Sequence, residues 1–343
     1  MELIRVEYGD ILATACDVLV LKYAQGFFGA DLAVAKVLGL SERADSALAP
    51  GKHMRIPSRG RLPCKRVLFL GVPPLWDFGY AEIRAFSKDA MRILASEDCE
   101  RDLIAMTMHG VGYGLDEREA FTAQVAGLME YLGSPDSEWR PKQILIVERE
   151  INRAERVKGL LNTIVQNAGN ITPGPSRQST RGIIPDAGVA SDLKQHIFVA
   201  MPYNEEMEDV YEFGIREPIN AAGCLCERCD RAVFTGDVLD RIRRRIASAA
   251  VVIADMTGAN PNVYLEVGYA WGKGVPTLLV AHDGEELKFD VKTHRCIYYK
   301  NIAHLRRQLA ELLPQLITLA GGAGRLSTNQ YPPDMDRRRQ QQP

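Results

Sequence analysis

Two carboxylic acids in the second half of the chain have neighbours that suit chemistry on a sugar. Asp255 closes the apolar run 251–254, and Glu266 lies on an otherwise apolar segment after a loop of Gly, Asn and Pro. A carboxyl group among apolar neighbours must find a partner or have a raised pKa. Two such acids suit a reaction that needs a nucleophile and a proton donor near a sugar carbon. The alternative is that Asp255 caps a turn and Glu266 is solvated.

The elements that must position these acids are a strand, a loop and a helix. The run 251–254 is typical of a buried strand, and a helix is predicted to open near Asn262. Ligands of open α/β sheets bind at the carboxyl ends of the strands, which is where Asp255 stands. The region 196–319 continues this alternation, with further strands predicted at 197–200 and 276–281 and helices at 205–222, 237–249 and 302–319.

Three segments of this region carry a family resemblance. They are I-F-V-A-M-P-Y (197–203), F-T-G-D-V-L-D-R-I (234–242) and I-A-D-M-T-G-A-N-P-N-V-Y-L-E-V-G-Y-A (253–270). Together they resemble the nucleoside 2-deoxyribosyltransferase-like superfamily, which includes deoxynucleotide N-glycosidases and is related to Toll/interleukin-1 receptor (TIR) domains that cleave NAD. The resemblance covers roughly residues 195–315. It implies a flavodoxin-like parallel sheet with helices on both faces.

The resemblance also implies roles for individual residues. In that family a helical glutamate attacks the anomeric carbon of an N-glycoside, and Glu266 matches it. Asp255 matches the acid that contacts the ribose or base, and Asp240 and Tyr203 would complete the pocket. The neighbouring loops add three candidate substrate contacts, Met201, Gly258 and Asn262. The N-P-N run before the helix departs from the transferases, so their base specificity does not carry over.

Three other motifs of the second half have two interpretations each. The basic run 241–245 could attract phosphates, although a solvated helix face is the interpretation we favour. The turn 201–204 could hold a phosphate on its backbone amides. Cys224, Cys226 and Cys229 could bind zinc, but a fourth ligand would have to come from far away. Strand alternation equally buries two of these cysteines on one face, and we predict no metal.

The first half of the chain also alternates strands and helices, which predicts an α/β layer sandwich. The predicted strands are 3–8, 17–21, 66–71, 103–108 and 143–147, and the predicted helices are 30–37, 80–95, 117–131 and 153–165.

A glycine-rich run, 109–114, lies between a predicted strand and a predicted helix. Its backbone amides could approach a diphosphate, and a tight turn is the alternative. With an early G-D-I at 9–11, this arrangement loosely resembles a macro domain, the module that binds ADP-ribose, over residues 1–166. The resemblance implies that Asp10 meets an adenine amine. It also implies ligand contacts at four residues of the run, Gly110, Gly112, Tyr113 and Gly114. Lys22 and its neighbours replace the usual Asn pair, which argues against ADP-ribose hydrolysis.

Composition limits the classes of function. The 343 residues carry a formal charge of −2, so a general nucleic-acid binder is not expected. Apolar runs are too short to span a bilayer, and the first residues carry no apolar signal region. Seven cysteines, odd in number and mostly scattered, fit a reducing compartment, so we expect a cytoplasmic protein.

We therefore predict two α/β domains, a macro-like three-layer sandwich at 1–166 and a flavodoxin-like unit at 194–320. A linker at 167–193 joins them, and a disordered tail follows at 321–343. The predicted activity is N-glycosidic cleavage of NAD or a nucleotide, regulated by a nucleotide at the first domain, without a required cofactor. The layout resembles bacterial anti-phage effectors, and a homo-oligomer is expected. The alternatives are a non-catalytic nucleotide-binding protein and a cyclase that makes an ADP-ribose-derived signal.

Overall fold

The computed structural model describes residues 3–40, 48–97, 99–134, 137, 139–169, 186–229, 236–288, 291, 294 and 296–322. The chain divides into two compact units. The first comprises Met1–Lys194 and Val233–Arg241, and the second comprises Gln195–Ala232 and Ile242–Pro343.

The first unit is built on a six-stranded mixed sheet. Its strands are β1 (Ile4–Tyr8), β2 (Val18–Tyr23), β3 (His53–Pro57), β4 (Arg66–Gly71), β5 (Leu103–Thr107) and β6 (Gln143–Glu148). Their order is β1-β6-β5-β2-β4-β3, with only the β3–β4 pair antiparallel among these strands. Every residue of β2 is buried, as expected for a central strand covered on both faces.

Four helices cover this sheet: α1 (Gly29–Leu38), α2 (Tyr80–Ala95), α3 (Glu117–Leu132) and α4 (Ile151–Gly169). Helix α1 packs against the face that carries Leu19 and Leu21. Helices α2 and α3 pack closely together, because Gly127 has no side chain. A Cβ at Gly127 would lie 2.1 Å from the Arg84 carbonyl oxygen of α2.

The second unit is a five-stranded parallel sheet. Its strands are β7 (His196–Ala200), β8 (Leu225–Arg228), β9 (Val251–Asp255), β10 (Thr277–His282) and β11 (Cys296–Tyr299), in the order β11-β10-β9-β7-β8. This is the flavodoxin-like strand order. The helices are α5 (Glu217–Ala221), which continues a π-helix at Val210–Arg216, α7 (Pro261–Gly272) and α8 (Ile302–Gly322). Helix α6 (Gly236–Ser248) is divided, with residues 242–248 in this unit and residues 236–241 in the first. The predicted α/β class with a second, parallel sheet is confirmed.

Several predicted boundaries differ from the structure. Strands β3 and β11 were not predicted, and the predicted helix 205–222 is a short turn, a π-helix and α5. The predicted linker begins inside α4 and ends in a segment, 186–194, that belongs to the first unit. There Lys194 Nζ lies 2.7 Å from Glu119 Oε1, and Arg84 Nη1 donates to the Ala187 carbonyl at 2.9 Å. Residues 170–185 and 323–343, in the predicted linker and tail, lie outside the described residues.

Candidate active site

The crevice of the second unit lies where β7 and β9 end side by side. Ala200 is opposite Ala254 in the register of this parallel pair. The chain leaves β7 toward β8 on one side of the sheet and leaves β9 toward β10 on the other. Such a reversal of strand order opens a crevice at the carboxyl ends of the two strands, where open α/β sheets bind ligands. Two loops, 201–204 and 256–260, follow these strand ends.

Asp255 is fully buried at the end of β9. Its Oδ1 accepts a hydrogen bond from the Thr257 amide at 3.0 Å, and its Oδ2 accepts one from the Tyr299 hydroxyl at 2.8 Å. Burial raises the pKa of this carboxyl above its usual value. These contacts make Asp255 the group that holds the 256–260 loop to the sheet. Contact between Asp255 and a substrate stays a prediction.

The 256–260 loop turns sharply at Gly258 and Ala259, whose φ angles are 73° and 49°. Gly258 is exposed, and its amide donates to Glu285 Oε1 at 3.1 Å. The N-P-N run that follows is a helix start. Asn260 caps α7 by accepting from the Asn262 amide at 2.9 Å, with proline at the first helical position. The Asn262 side chain is exposed.

Glu266 lies on α7, beside the residues Val263 and Val267 that bury this helix against the unit. The side chain is half-buried, and no hydrogen bond or ion pair joins it to any residue that the structure describes. Burial raises its pKa from 4.5 to about 8. The carboxyl group is therefore mostly neutral at pH 7. The sequence predicts either a partner or a raised pKa for an acid among apolar neighbours, and the structure shows the raised pKa.

The 201–204 loop presents one aromatic ring to solvent. Tyr203 is 52% exposed, whereas Met201 is buried beneath it in the core. Asn204 caps the next turn by accepting from the Met207 amide at 3.0 Å, so that amide is already satisfied. Tyr203 is thus placed to contact a ligand, and the predicted phosphate site on this turn stays a prediction.

Sequence reasoning missed Arg228, the last residue of β8. Its side chain is 3% exposed, and Nη2 donates to both carboxylate oxygens of Glu208, at 3.0 and 2.9 Å. Its guanidinium lies 3.7 Å from the ring centre of Tyr211 and 5.2 Å from that of Tyr203. The sequence gives no clear signal for it, because β8 reads Leu-Cys-Glu-Arg and the neighbouring cysteines favoured an interpretation as a metal site.

The basic run on α6 is not a uniformly solvated face. Arg241 is buried within the first unit and donates to the main-chain carbonyls of Leu75, Phe78 and Tyr113. Arg245 pairs with the fully buried Glu227, whereas residues 243 and 244 are exposed. The solvated-face interpretation is therefore wrong for Arg241 and Arg245. Asp240 is exposed, and the assembly of Asp240 with Glu266 stays a prediction.

The glycine run of the first unit forms a tight turn at Val111–Tyr113. Gly110 and Gly114 have φ angles of 87° and 98°, and a Cβ at Gly110 would lie 2.5 Å from Leu115 Cδ1. The amides of Tyr113, Gly114 and Leu115 all bond to carbonyls inside the turn. Gly112 is half-buried between them.

The crevice of the first unit lies between the carboxyl ends of β2 and β5, by the same topological rule. Tyr113 is buried there, with its ring centre 6.3 Å from that of Phe28. Asp116 caps α3 by accepting from the Glu119 amide at 3.0 Å, which places a carboxylate where a phosphate was predicted. Asp10 is exposed and accepts from the Leu12 amide at 2.9 Å. Binding of a ligand at these residues stays a prediction.

Lys22, near the end of β2, forms a buried ion pair. Its Nζ lies 2.5 Å from Asp31 Oδ2. The neighbouring His109 packs against Phe86 and Phe78. Burial, and then the charge of Lys22, hold the pKa of His109 well below its usual value, so the imidazole is neutral.

In the described part of the chain, no cluster of three His, Cys, Asp or Glu side chains is placed to hold a metal ion. Cys224 and Cys226 are buried in the core of the second unit, and Cys229 is half-buried. No helix within the described ranges combines the length and the apolar character needed to cross a membrane.

Comparisons with known proteins give structural neighbours only. No family model and no curated protein matches the chain. A macrodomain of Oceanobacillus iheyensis with MES bound is 16% identical over 47% of this chain and 91% of its own length, with a TM-score of 0.38. A Trypanosoma brucei macrodomain in complex with ADP-ribose is 16% identical over 46% and 69%, with a TM-score of 0.32. A CMP N-glycosidase of Clostridium botulinum is 19% identical over 34% and 97%, with a TM-score of 0.28. Similarities at this level assign neither a ligand nor a reaction to this chain.

Proposed function

We propose that the second unit is an N-glycosidase that cleaves the bond between the base and the ribose of NAD or a nucleotide. The observation that carries the proposal is Glu266, a half-buried acid without a partner among the described residues, on the helix that leaves the crevice. Structural acids of this kind are normally paired, so an unpaired one in a cleft is a candidate functional group. The exposed ring of Tyr203 at the same crevice supports a ligand with a flat base.

The chemistry follows from the protonation state of Glu266. For a nucleotide with a neutral base, the neutral acid donates its proton to the leaving base as the C–N bond breaks, and the electron pair of that bond goes to the base. Nicotinamide leaves NAD from a cationic ring as a neutral base and needs no such proton, so this step applies to nucleotides with a neutral base. The carboxylate that remains stabilises the positive charge that develops on the anomeric carbon. Water then adds to that carbon, and its proton returns to Glu266. Each turnover converts the glycoside and water into the free sugar hydroxyl and the free base.

We further propose that the first unit binds a nucleotide or ADP-ribose-type ligand in the crevice between β2 and β5. Phe28 and Tyr113 at this crevice support a stacked base. The domain layout also suggests a role in defence against phage, which we include in this proposal. The proposal predicts that cells carrying the Glu266→Gln variant lose any protection against phage that the unsubstituted protein confers.

The test is an incubation of the full chain with NAD, NADP, ribonucleotides and deoxynucleotides, followed by mass spectrometry. Glu266→Gln removes the acid at nearly constant shape, and Glu311→Gln changes an exposed glutamate on α8 as a matched control. Loss of one substrate with release of its base, absent only in Glu266→Gln, supports the proposal. Equal turnover by the Glu266→Gln variant would rule it out.

Two alternatives give different products in the same assay. Under the non-catalytic interpretation, Glu266→Gln changes affinity for a nucleotide while no base is released by either protein. Under the cyclase interpretation, NAD disappears and a cyclic ADP-ribose product accumulates in place of free ADP-ribose.

A further inference from the structure

Tyr203 is an exposed ring whose inner face is covered by a buried cation. The side chain is 52% exposed at the end of β7, and the guanidinium of Arg228 lies 5.2 Å from its ring centre. Solvent-exposed tyrosines usually rotate freely, and that freedom is lost when a ligand stacks on the ring. A ring that is already fixed by a contact on one face loses less conformational entropy when a ligand stacks on the other face. Such a ring is therefore a better stacking surface.

Arg228 is itself held on several sides. Glu208 accepts two hydrogen bonds from Nη2, and the ring centre of Tyr211 lies 3.7 Å from the guanidinium carbon. Nη1 also contacts the sulfur of Met201 at 3.8 Å. The side chain is therefore fixed by an ion pair through Nη2 and by the stacking of its planar guanidinium on Tyr211, and lysine cannot reproduce that stacking.

The charge of Arg228 also affects which ring can stack on Tyr203. A cation over one face of an aromatic ring is attracted by its π electrons and polarises them toward itself. The opposite face then attracts a second cation less strongly. A neutral base stacks there without this electrostatic penalty, whereas a pyridinium ring is disfavoured. Of the two proposed substrate classes, the inference therefore favours a nucleotide with a neutral base over NAD.

We propose that Arg228 is a positioning and specificity-determining residue that holds Tyr203 as a stacking surface and disfavours cationic rings there. The inference rests on the proposed function in one respect, namely that the ligand is a nucleotide. Glu208 fixes Arg228 by accepting hydrogen bonds from Nη2 on both of its carboxylate oxygens.

The experiment measures binding without turnover, in the full chain carrying Glu266→Gln. The probes are uridine 5′-monophosphate, which has a neutral ring, and nicotinamide mononucleotide, which has a cationic ring and the same phosphate. The variants are Arg228→Met, Arg228→Lys and Tyr203→Leu. Arg306→Met is the matched control, because Arg306 pairs with Glu217 at 2.8 Å elsewhere in this unit. Circular dichroism and thermal unfolding establish that each variant is folded.

We expect the Glu266→Gln chain to bind the uridine probe more tightly than the nicotinamide probe. Adding Arg228→Met should weaken binding of the uridine probe about fivefold to tenfold. The ratio of the two dissociation constants should move toward equality in Arg228→Met and Tyr203→Leu and stay unchanged in Arg306→Met. Arg228→Lys should keep part of the preference, which gives a readout if Arg228→Met does not fold.

The inference is overturned if the Arg228 variants keep both dissociation constants and their ratio, or if the uridine probe does not bind with Tyr203 intact. Failure of the glycosidase proposal has a different signature. In that case the parent without Glu266→Gln releases no base from any nucleotide, while the ring preference and its loss in Arg228→Met persist.

Discussion

Glu266 differs from an ordinary surface acid in that nothing among the described side chains compensates for its burial. The cause of its raised pKa is burial, and the value of about 8 lies within an accessible range. The proposed proton donor is the neutral form, which is populated below that pH and lost above it.

The pH dependence of turnover follows from this assignment. We expect kcat/KM for a neutral-base nucleotide to be level near pH 6–7 and to fall about tenfold per unit above pH 8. Initial rates of base release across this range measure it, and Glu311→Gln should give the profile of the parent. A kcat/KM that rises through pH 8 would instead identify Glu266 as an ionised nucleophile.

Asp255 is expected to stabilise the fold by holding the 256–260 loop to the sheet. Tyr299→Phe tests this role, because it removes the hydroxyl that donates to Asp255 and keeps the aromatic ring. Loss of the hydroxyl that donates to Asp255 should lower the free energy of unfolding by about 1–2 kcal/mol. Urea unfolding measures the change. Tyr298→Phe, on the neighbouring half-buried residue, is the control and should have a smaller effect. Equal effects of the two variants would contradict the role given to this hydrogen bond.

At the level of single residues, Glu266 is a candidate from its residue type and apolar neighbours, and Tyr203 is a candidate from the family resemblance; their roles stay predictions. The sequence did not predict Arg228 with Glu208, because their pairing joins a strand end to a segment twenty residues away in the chain. It also could not separate a cap from a catalytic acid at Asp255. That distinction depends on Tyr299, which is brought in by β11.

Among the elements, the close packing of α2 against α3 depends on Gly127, which has no side chain. Gly127→Ala should destabilise the protein by at least about 2 kcal/mol, because the new Cβ meets a backbone carbonyl that cannot move alone. Gly159→Ala on α4 is the matched control. It meets nothing within 4 Å and should be neutral or stabilising by up to about 1 kcal/mol. Chemical denaturation of both variants measures the difference, and similar midpoints would refute the packing argument.

The elements with strong apolar patterns were predictable. The β9–loop–α7 unit has a buried strand, a turn and a helix start, and all three signals are local. Strand β3 alternates exposed and half-buried residues at the sheet edge, so it lacks a clear apolar face. The π-helix at Val210–Arg216 packs against α8, and its apolar spacing does not distinguish it from an α-helix in the sequence.

For the whole molecule, the alternation of strands and helices predicted two α/β units, but not which chain segments each unit contains. Lys194 and Glu119 pair across a long stretch of chain, and so do Arg84 and Ala187. Such contacts between distant segments leave no periodic signal in the sequence. They are the reason that residues 186–194, at the end of a stretch rich in turn residues, belong to the first unit.

Regulation by the first unit is also a prediction for the whole chain. We expect ADP-ribose to change the rate of base release by the full-length protein, and Phe28→Ala to reduce this effect by removing a ring from the β2–β5 crevice. Initial rates at increasing ADP-ribose concentration measure it. Rates that do not depend on ADP-ribose would argue against the first unit as its sensor.

The unpaired acid on α7 also has a consequence for how the protein tolerates alkali. The folded chain holds the Glu266 proton more tightly than the unfolded chain, so folding stability falls as pH rises from about 4.5 through about 8. Glutamine has no proton to lose. Glu266→Gln should therefore melt several degrees above the parent at pH 9 and close to it below pH 4.5, and equal melting temperatures at pH 9 would contradict this. An inactive variant that is also the more alkali-resistant one would mark Glu266 as a residue that the fold alone does not require.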